Sequence, residues 1–319
     1  MYTINSGLGP IFYDQLGGFS PTGGKLFVVC PIAHPNFQEI SDVIKRDEEG
    51  IDRRYTTIAA AMAQCVAGRG DVILIMEGYT DTVSSATILP FNIANVKIIG
   101  LGTSSARPTI TYNTANTATI PVSASGITIQ NCIFVANFLA IANAFTLTTA
   151  KDFNLINCDF RDTSAVLNFV NIVTTDTTSN HADGLLISGC NFMLLATSGA
   201  VNLFAPLGTN DRCTIINNYF ASLTTNAGAV IPIATGKILT NFKLLNNRFN
   251  LVNATGTSTG YIITTNGSTN TGFIDGNMDH ALPTSPLFCT ASSGFVYGAN
   301  YHSETADKSG FLLPATNGS

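Results

Sequence analysis

The stretch Ile127-Thr128-Ile129-Gln130-Asn131-Cys132-Ile133-Phe134 decides the fold, because its pattern returns again and again down the chain. It recurs as Phe153-Asn154-Leu155-Ile156-Asn157-Cys158-Asp159-Phe160, as Leu185-Leu186-Ile187-Ser188-Gly189-Cys190-Asn191-Phe192, and as Cys213-Thr214-Ile215-Ile216-Asn217-Asn218-Tyr219-Phe220. Two further copies are Phe242-Lys243-Leu244-Leu245-Asn246-Asn247-Arg248-Phe249 and a degenerate Gly272-Phe273-Ile274-Asp275-Gly276-Asn277-Met278. Their closing apolar residues lie 26, 32, 28, 29 and 29 positions apart. A period of that length, carried by alternating apolar residues and not by helical spacing, marks a solenoid.

Each unit holds an alternating apolar run, a small polar pair and a Phe. Alternation reads as a strand, and Asn or Gly tolerates the left-handed backbone of a sharp bend. A second apolar run lies between motifs, as in Phe145-Thr146-Leu147 or Val201-Asn202-Leu203-Phe204. Each period is therefore expected to contain at least two short strands. Strands this short bury a face only by stacking period on period, which aligns Phe134, Phe160, Phe192, Phe220 and Phe249 in one column and Cys132, Cys158, Cys190, Asn218 and Asn247 in another. A β-sandwich would not need the same residue types at one offset in every period. The expectation is an all-β, right-handed parallel β-helix.

Composition narrows the partners. Of 319 residues, 11% are charged and the net charge is -5, which leaves no basic stripe for nucleic acid. No apolar run is long enough for a membrane helix. The opening Met1-Tyr2-Thr3-Ile4-Asn5-Ser6-Gly7 has neither the basic nor the apolar region of a secretory signal. Seven cysteines without metal-site spacing read as buried thiols in a reducing compartment.

The ends are irregular. Residues 1–25 are rich in Gly and Pro yet carry Ile11, Phe12, Tyr13, Leu16 and Phe19, so they read as an extended arm that lies either on its own domain or on a neighbouring subunit. Residues 39–54 carry ten charges in sixteen positions, among them Lys45, Arg46, Asp47, Glu48 and Glu49; these ten named residues are the expected partner-docking groups. A Thr N-cap in Thr56-Thr57, an Ala-rich interior and Gly68 predict a helix over 57–67 that closes the open end of the solenoid. The expected organisation is arm and docking segment over 1–54, β-helix over 55–302, and a tail or cap over 303–319, with Phe311 to Leu313 placed to plug the far end.

The run Tyr55-Thr56-Thr57-Ile58-Ala59-Ala60-Ala61, followed by Gly70-Asp71-Val72-Ile73 and Gly78-Tyr79-Thr80-Asp81, resembles the opening segment of right-handed parallel β-helix proteins of the pectate-lyase-like superfamily. That resemblance covers roughly residues 55–300 and is specific for fold, not for function. The chain is also similar to β-helix proteins encoded by tailed bacteriophages, through Gly24-Lys25-Leu26-Phe27-Val28-Val29, Arg53-Arg54-Tyr55-Thr56-Thr57-Ile58 and Ser309-Gly310-Phe311-Leu312-Leu313-Pro314-Ala315. It implies a virion component, without saying where on the particle. A capsid decoration or head-fibre role on the particle surface is expected because the chain is short and poor in catalytic groups, with contact to other virion proteins such as the major capsid protein and self-association as a homotrimer that hides strand edges. The alternative is a tailspike or tail fibre that binds or cuts a host surface glycan.

Glycan-cleaving enzymes on this fold need paired carboxylates, or calcium ligands with a basic residue, recurring at one offset. The position before the ladder Phe, expected to face outward and be exposed, reads Ile133, Asp159, Asn191, Tyr219, Arg248 and Asn277, which repeats no such chemistry. Three charged groupings were weighed: Asp159, Arg161 and Asp162 as an ion-paired turn; Asp176, His181 and Asp183 as a His between two acids; Asp279 and His280 with His302. No catalytic residue, metal ligand or cofactor is expected from them.

Overall fold

The computed structural model describes residues 24–38, 40, 52–197, 201–223, 230–251, 262–264, 269–281, 294–303 and 311–313. The expected docking residues Ile11, Phe12, Tyr13, Leu16, Phe19, Lys45, Arg46, Asp47, Glu48 and Glu49 lie outside the described residues.

Each repeat turns a corner at the small polar pair. Asn131, Asn157, Gly189, Asn217, Asn246 and Gly276 all take φ between 51° and 67°, the left-handed region in which Asn and Gly are least penalised. At Gly189 the constraint is also spatial, since a Cβ would meet Asn157 Oδ1 at 2.4 Å. The bend splits each motif into two strands, such as Asn154–Ile156 and Asp159–Asp162.

Equivalent strands of successive turns pair in parallel, so the chain is an all-β parallel β-solenoid. Among the described residues, the first sheet runs from Arg54–Tyr55 and Leu26–Val29 through to Val296–Tyr297. The second sheet runs from Thr80–Val83 to Asn300–Ser303. A third sheet, Ile120–Val122, Ile141–Leu147, Phe169–Thr175 and Asn202–Ala205, is formed by the apolar runs between motifs, so these turns hold three strands, in keeping with the expected minimum of two.

The core is made of columns. On the second sheet Phe134, Phe160, Phe192, Phe220 and Phe249 are in register and at most 2% exposed, with neighbouring ring centroids 5.0 to 6.2 Å apart. At roughly 1.5–3 kcal/mol per buried large side chain, this column is a major share of the gross apolar stabilisation. The next rung departs from the sequence reading. Phe249 is in register with Asp279, which is buried, while Met278 pairs with Arg248 and points outward at 48% exposure.

Inside the bend the small-residue column becomes a hydrogen-bonded ladder. Asn218, Asn247, Asn277 and Asn300 are all buried, and each of the first three donates from both its backbone N–H and its Nδ2 to the Oδ1 of the next, at 2.9 to 3.1 Å. The same Nδ2 groups also donate to a carbonyl of the preceding turn, Ile187, Ile215, Leu244 and Ile274 in order. Asn277 is thus a ladder residue and not a member of the outward column. Toward the N-terminus the ladder passes into Cys190, whose N–H donates to Asn218 Oδ1, then into Cys158 and Cys132.

The ends differ from expectation in two ways. The helix is Ile58–Met62, shorter than 57–67: Thr57 Oγ1 accepts from Ala60 N–H as predicted, but Gln64 and Cys65 turn back to Ala61 and Met62, and Val66 N–H is taken by Asp71. Ile58, Ala61 and Met62 still close the core at this end. At the other end, Phe311–Leu313 does not follow the solenoid path but lies antiparallel against Asn300–Ser303, covering the last edge of the second sheet. Leu26–Val29 is itself hydrogen-bonded into the first sheet against Val72–Ile75, so the solenoid takes in residues ahead of 55.

Replacing Asn247 by Ala removes an acceptor for two donors of Asn218 and a donor to Ile215 and Asn277. Urea titration is expected to show a loss of about 3 kcal/mol, from several buried groups left unpaired at 1–3 kcal/mol each, whereas Asn154→Ala, on the outward side, is expected to change stability by less than about 1 kcal/mol.

Candidate functional site

Two places on the solenoid gather chemistry: the root of the arm, and the outer face of the second sheet. At the root, Asp71 is completely buried. Its Oδ1 accepts from the Lys25 N–H at 2.8 Å and from Arg69 Nε at 2.6 Å; its Oδ2 accepts from Val66 N–H and Arg69 Nη2, each at 2.7 Å. One carboxylate therefore joins the incoming chain, the turn after the helix and the start of Val72–Ile75. Gly24 is forced by the same junction, since a Cβ there would sit 2.1 Å from the Gly70 carbonyl oxygen. Burial pushes the Asp71 carboxyl up, but the bonds from Arg69, Val66 and Lys25 outweigh it and hold it below its ordinary value.

Beyond Val29 the chain folds over the outside of the first sheet. Phe37 and Ile40 pack on Val28, Leu74 and Ile99, and the Arg54 guanidinium lies 4.2 Å from the centre of the Phe37 ring.

Arg107, Arg161 and Arg248 gather on the second sheet's outer face. Arg107 donates to Asp159 Oδ2 and, at 3.2 Å, to the Asn157 carbonyl, while Arg161 donates to the same Asp159 oxygen at 2.7 Å. Two guanidinium groups thus share one carboxylate that is only 9% exposed. Arg161 remains 43% exposed at its side chain, and further along the face Tyr219 and Arg248 stand in register on adjacent strands.

The sequence candidates divide on this geometry. Asp159, Arg161 and Asp162 lie on a strand, not in a turn, and alternation sends Asp162 to the opposite face from the ion pair. Ile133 and Asp159, read as exposed, are buried. His181 Nδ1 meets Asp176 at 2.8 and 2.9 Å, but Asp183 turns away: its Oδ1 accepts from Asp211 N–H, and Lys151 approaches its Oδ2 at 3.9 Å. Asp279 stands opposite His302 in strand register, with His280 opposite Ser303. Among the described residues no group of three His, Cys, Asp or Glu is placed to hold a metal ion. Missed from sequence was the Asp71 clasp, although Arg69-Gly70-Asp71 after a helix end was a readable signal for it.

No protein-family model matches the sequence, and no curated protein matches it. Solved structures that match include a chain described as "Geobacillus virus E2 - ORF18", at 13% identity and a TM-score of 0.38, covering 77% of this chain and 57% of that one. Another is a rhamnogalacturonan lyase, at 13% identity and a TM-score of 0.37, covering 81% of this chain and 69% of the other. The chain thus spans less than two thirds of the length of the first. At this identity and overlap, neither likeness bears on what the chain does.

Asp71→Asn removes the charge that Arg69 and the two amides hold. Because the folded carboxyl titrates below its ordinary value, its contribution is complete above the unfolded pKa and fades as pH falls through the folded one. Thermal melts are expected to show a variant destabilised by about 3 kcal/mol at pH 7, with the gap to the parent protein narrowing in acid.

Proposed function

We propose that this chain is a structural component of a bacteriophage particle, a capsid decoration or head-fibre protein in which an N-terminal arm anchors a rigid shaft, associating as a homotrimer. The reading is supported by the construction of the arm's root. The chain enters the shaft at Gly24 and Lys25 through the buried Asp71 clasp, and Leu26–Val29 at once joins the first sheet. A load on the arm is therefore passed to hydrogen bonds spread over the first turns, as an anchor requires. The apolar groups between Ile11 and Phe19 and the charged groups between Lys45 and Glu49 are the proposed contacts with other virion proteins.

Deleting residues 1–23 spares Gly24, Lys25 and the clasp. Particles assembled with the truncated protein are expected to lose it on purification, while the free shaft keeps its unfolding midpoint. Retention at the parent level on the particle would refute the anchor.

A second reading, binding of a host surface glycan by a tailspike-like shaft, is favoured by one observation: Arg161, Tyr219 and Arg248 present donors and an aromatic ring along one face of a chain that is acidic overall. Purified protein is expected, on this reading, to bind host capsule or lipopolysaccharide, with affinity lowered about tenfold by Arg248→Ala, the loss of one charged hydrogen bond. Absence of binding to either glycan would end it.

A further inference from the structure

Asp162 occupies a position in the second sheet's inward-facing column where its neighbours are apolar. It is in register with Ala136, which is in turn in register with Tyr112, and Leu194 follows on the next strand. Its side chain reaches the corner where the chain leaves the second sheet for the third. There Oδ1 accepts from Phe169 N–H at 2.9 Å, in its own turn, and Oδ2 accepts from Leu195 N–H at 2.8 Å, in the next. One carboxylate therefore fastens two stacked corners to each other.

No cation faces it. The charged groups on its own strand, Asp159 and Arg161, lie on the outer side and are engaged with each other and with Arg107. Tyr112 donates to the Ala144 carbonyl, and full burial keeps its phenol neutral. The strands on either side offer Ala136 and Leu194, and the start of Phe169–Thr175 offers Asn168 and Phe169. Backbone N–H groups alone meet the negative charge, in contrast to Asp71 with its arginine.

We propose that Asp162 is a proton-linked joint: the contact between these corners loosens near neutral pH and tightens in acid. Burial without a counter-charge pushes the carboxyl up to about 6. In a corner that has opened to water the same group returns to its ordinary value near 4. A folded pKa above the open one means that the closed form binds the proton more tightly, so closing is favoured as pH falls and opening as pH rises through 6. The difference of about two units sets the size of the effect at about fiftyfold in the opening equilibrium between pH 4 and pH 7. The corner of its own turn also carries Val166 at 59% exposure, so its opening moves an apolar group on the surface.

Native-state amide exchange at Phe169, Leu195 and Ala196, corrected for intrinsic rates, tests this in the intact protein. Protection is expected to fall by about fiftyfold from pH 4 to pH 7 at these amides, while the ladder amides of Asn218 and Asn247 stay level. Asp162→Asn is expected to abolish the step. A step that persists in the variant, or protection that is flat in the parent protein, overturns the proposal. Should the variant fail to fold, the carboxyl carbon shift of Asp162 in the parent protein decides: a midpoint near 6 supports the joint and one near 4 overturns it.

Discussion

A primary amide can accept on one side and donate on the other, and the rungs of a parallel sheet repeat every 4.7–4.9 Å. An Asn stacked on an Asn at that spacing satisfies the turn beside it as well as itself. The bends between the first and second sheets rest on this. Each one buries a backbone N–H that no strand partner can reach, and from Cys190 onward the Oδ1 of the next ladder residue receives it. The Phe column supplies apolar free energy without direction. The Asn column fixes which residue stands above which, because a slip of one position would leave two donors and an acceptor buried and unpaired.

Much of this was legible because stacking forces repetition into the sequence. The Phe column could be read to Phe249, and the left-handed bends could be read from Asn and Gly. Reading failed at the next rung for a definite reason: the spacing lengthens from 29 to 30, and Met278 is a more plausible core residue than Asp279. A second column of left-handed residues, at the corner leading into the first sheet, escaped notice altogether. Its members are Asn95, Gly126, Asp152, Gly184, Arg212 and Asn241, a set too mixed in type to announce a shared backbone. The helix was foreseen at its start, where Thr57 caps it, and misjudged at its end, where Asp71 competes for Val66 N–H from five residues away.

Charge placement was the least legible property. Alternation along Asp159–Asp162 assigns one acid to the surface and one to the interior, but the sequence cannot say which amides will meet the inward one. Asp71 and Asp162 are the same residue type at similar burial, and they respond oppositely to protons because one has Arg69 and the other only N–H groups. The chemistry of a buried carboxylate here belongs to its neighbours in space, which lie up to 46 residues away for Asp71 and 33 for Asp162.

The Asn column also has a polarity. Along the Asn-to-Asn bonds the donors point toward the C-terminus and the Oδ1 acceptors receive from the N-terminal side, while the second Nδ2 bond reaches back to the preceding turn, so each turn finishes the one before it. A growing chain that has laid down the Asn218 rung carries two N–H groups whose acceptor has not yet been made, and only the Asn247 rung supplies it. Carbonyl oxygens, with two lone pairs, tolerate partial satisfaction better than an N–H does. Growth therefore leaves the costlier end open at the tip and the cheaper end sealed behind it. The solenoid is a one-way zipper, in which every added turn is held back from unwinding by the turn that follows.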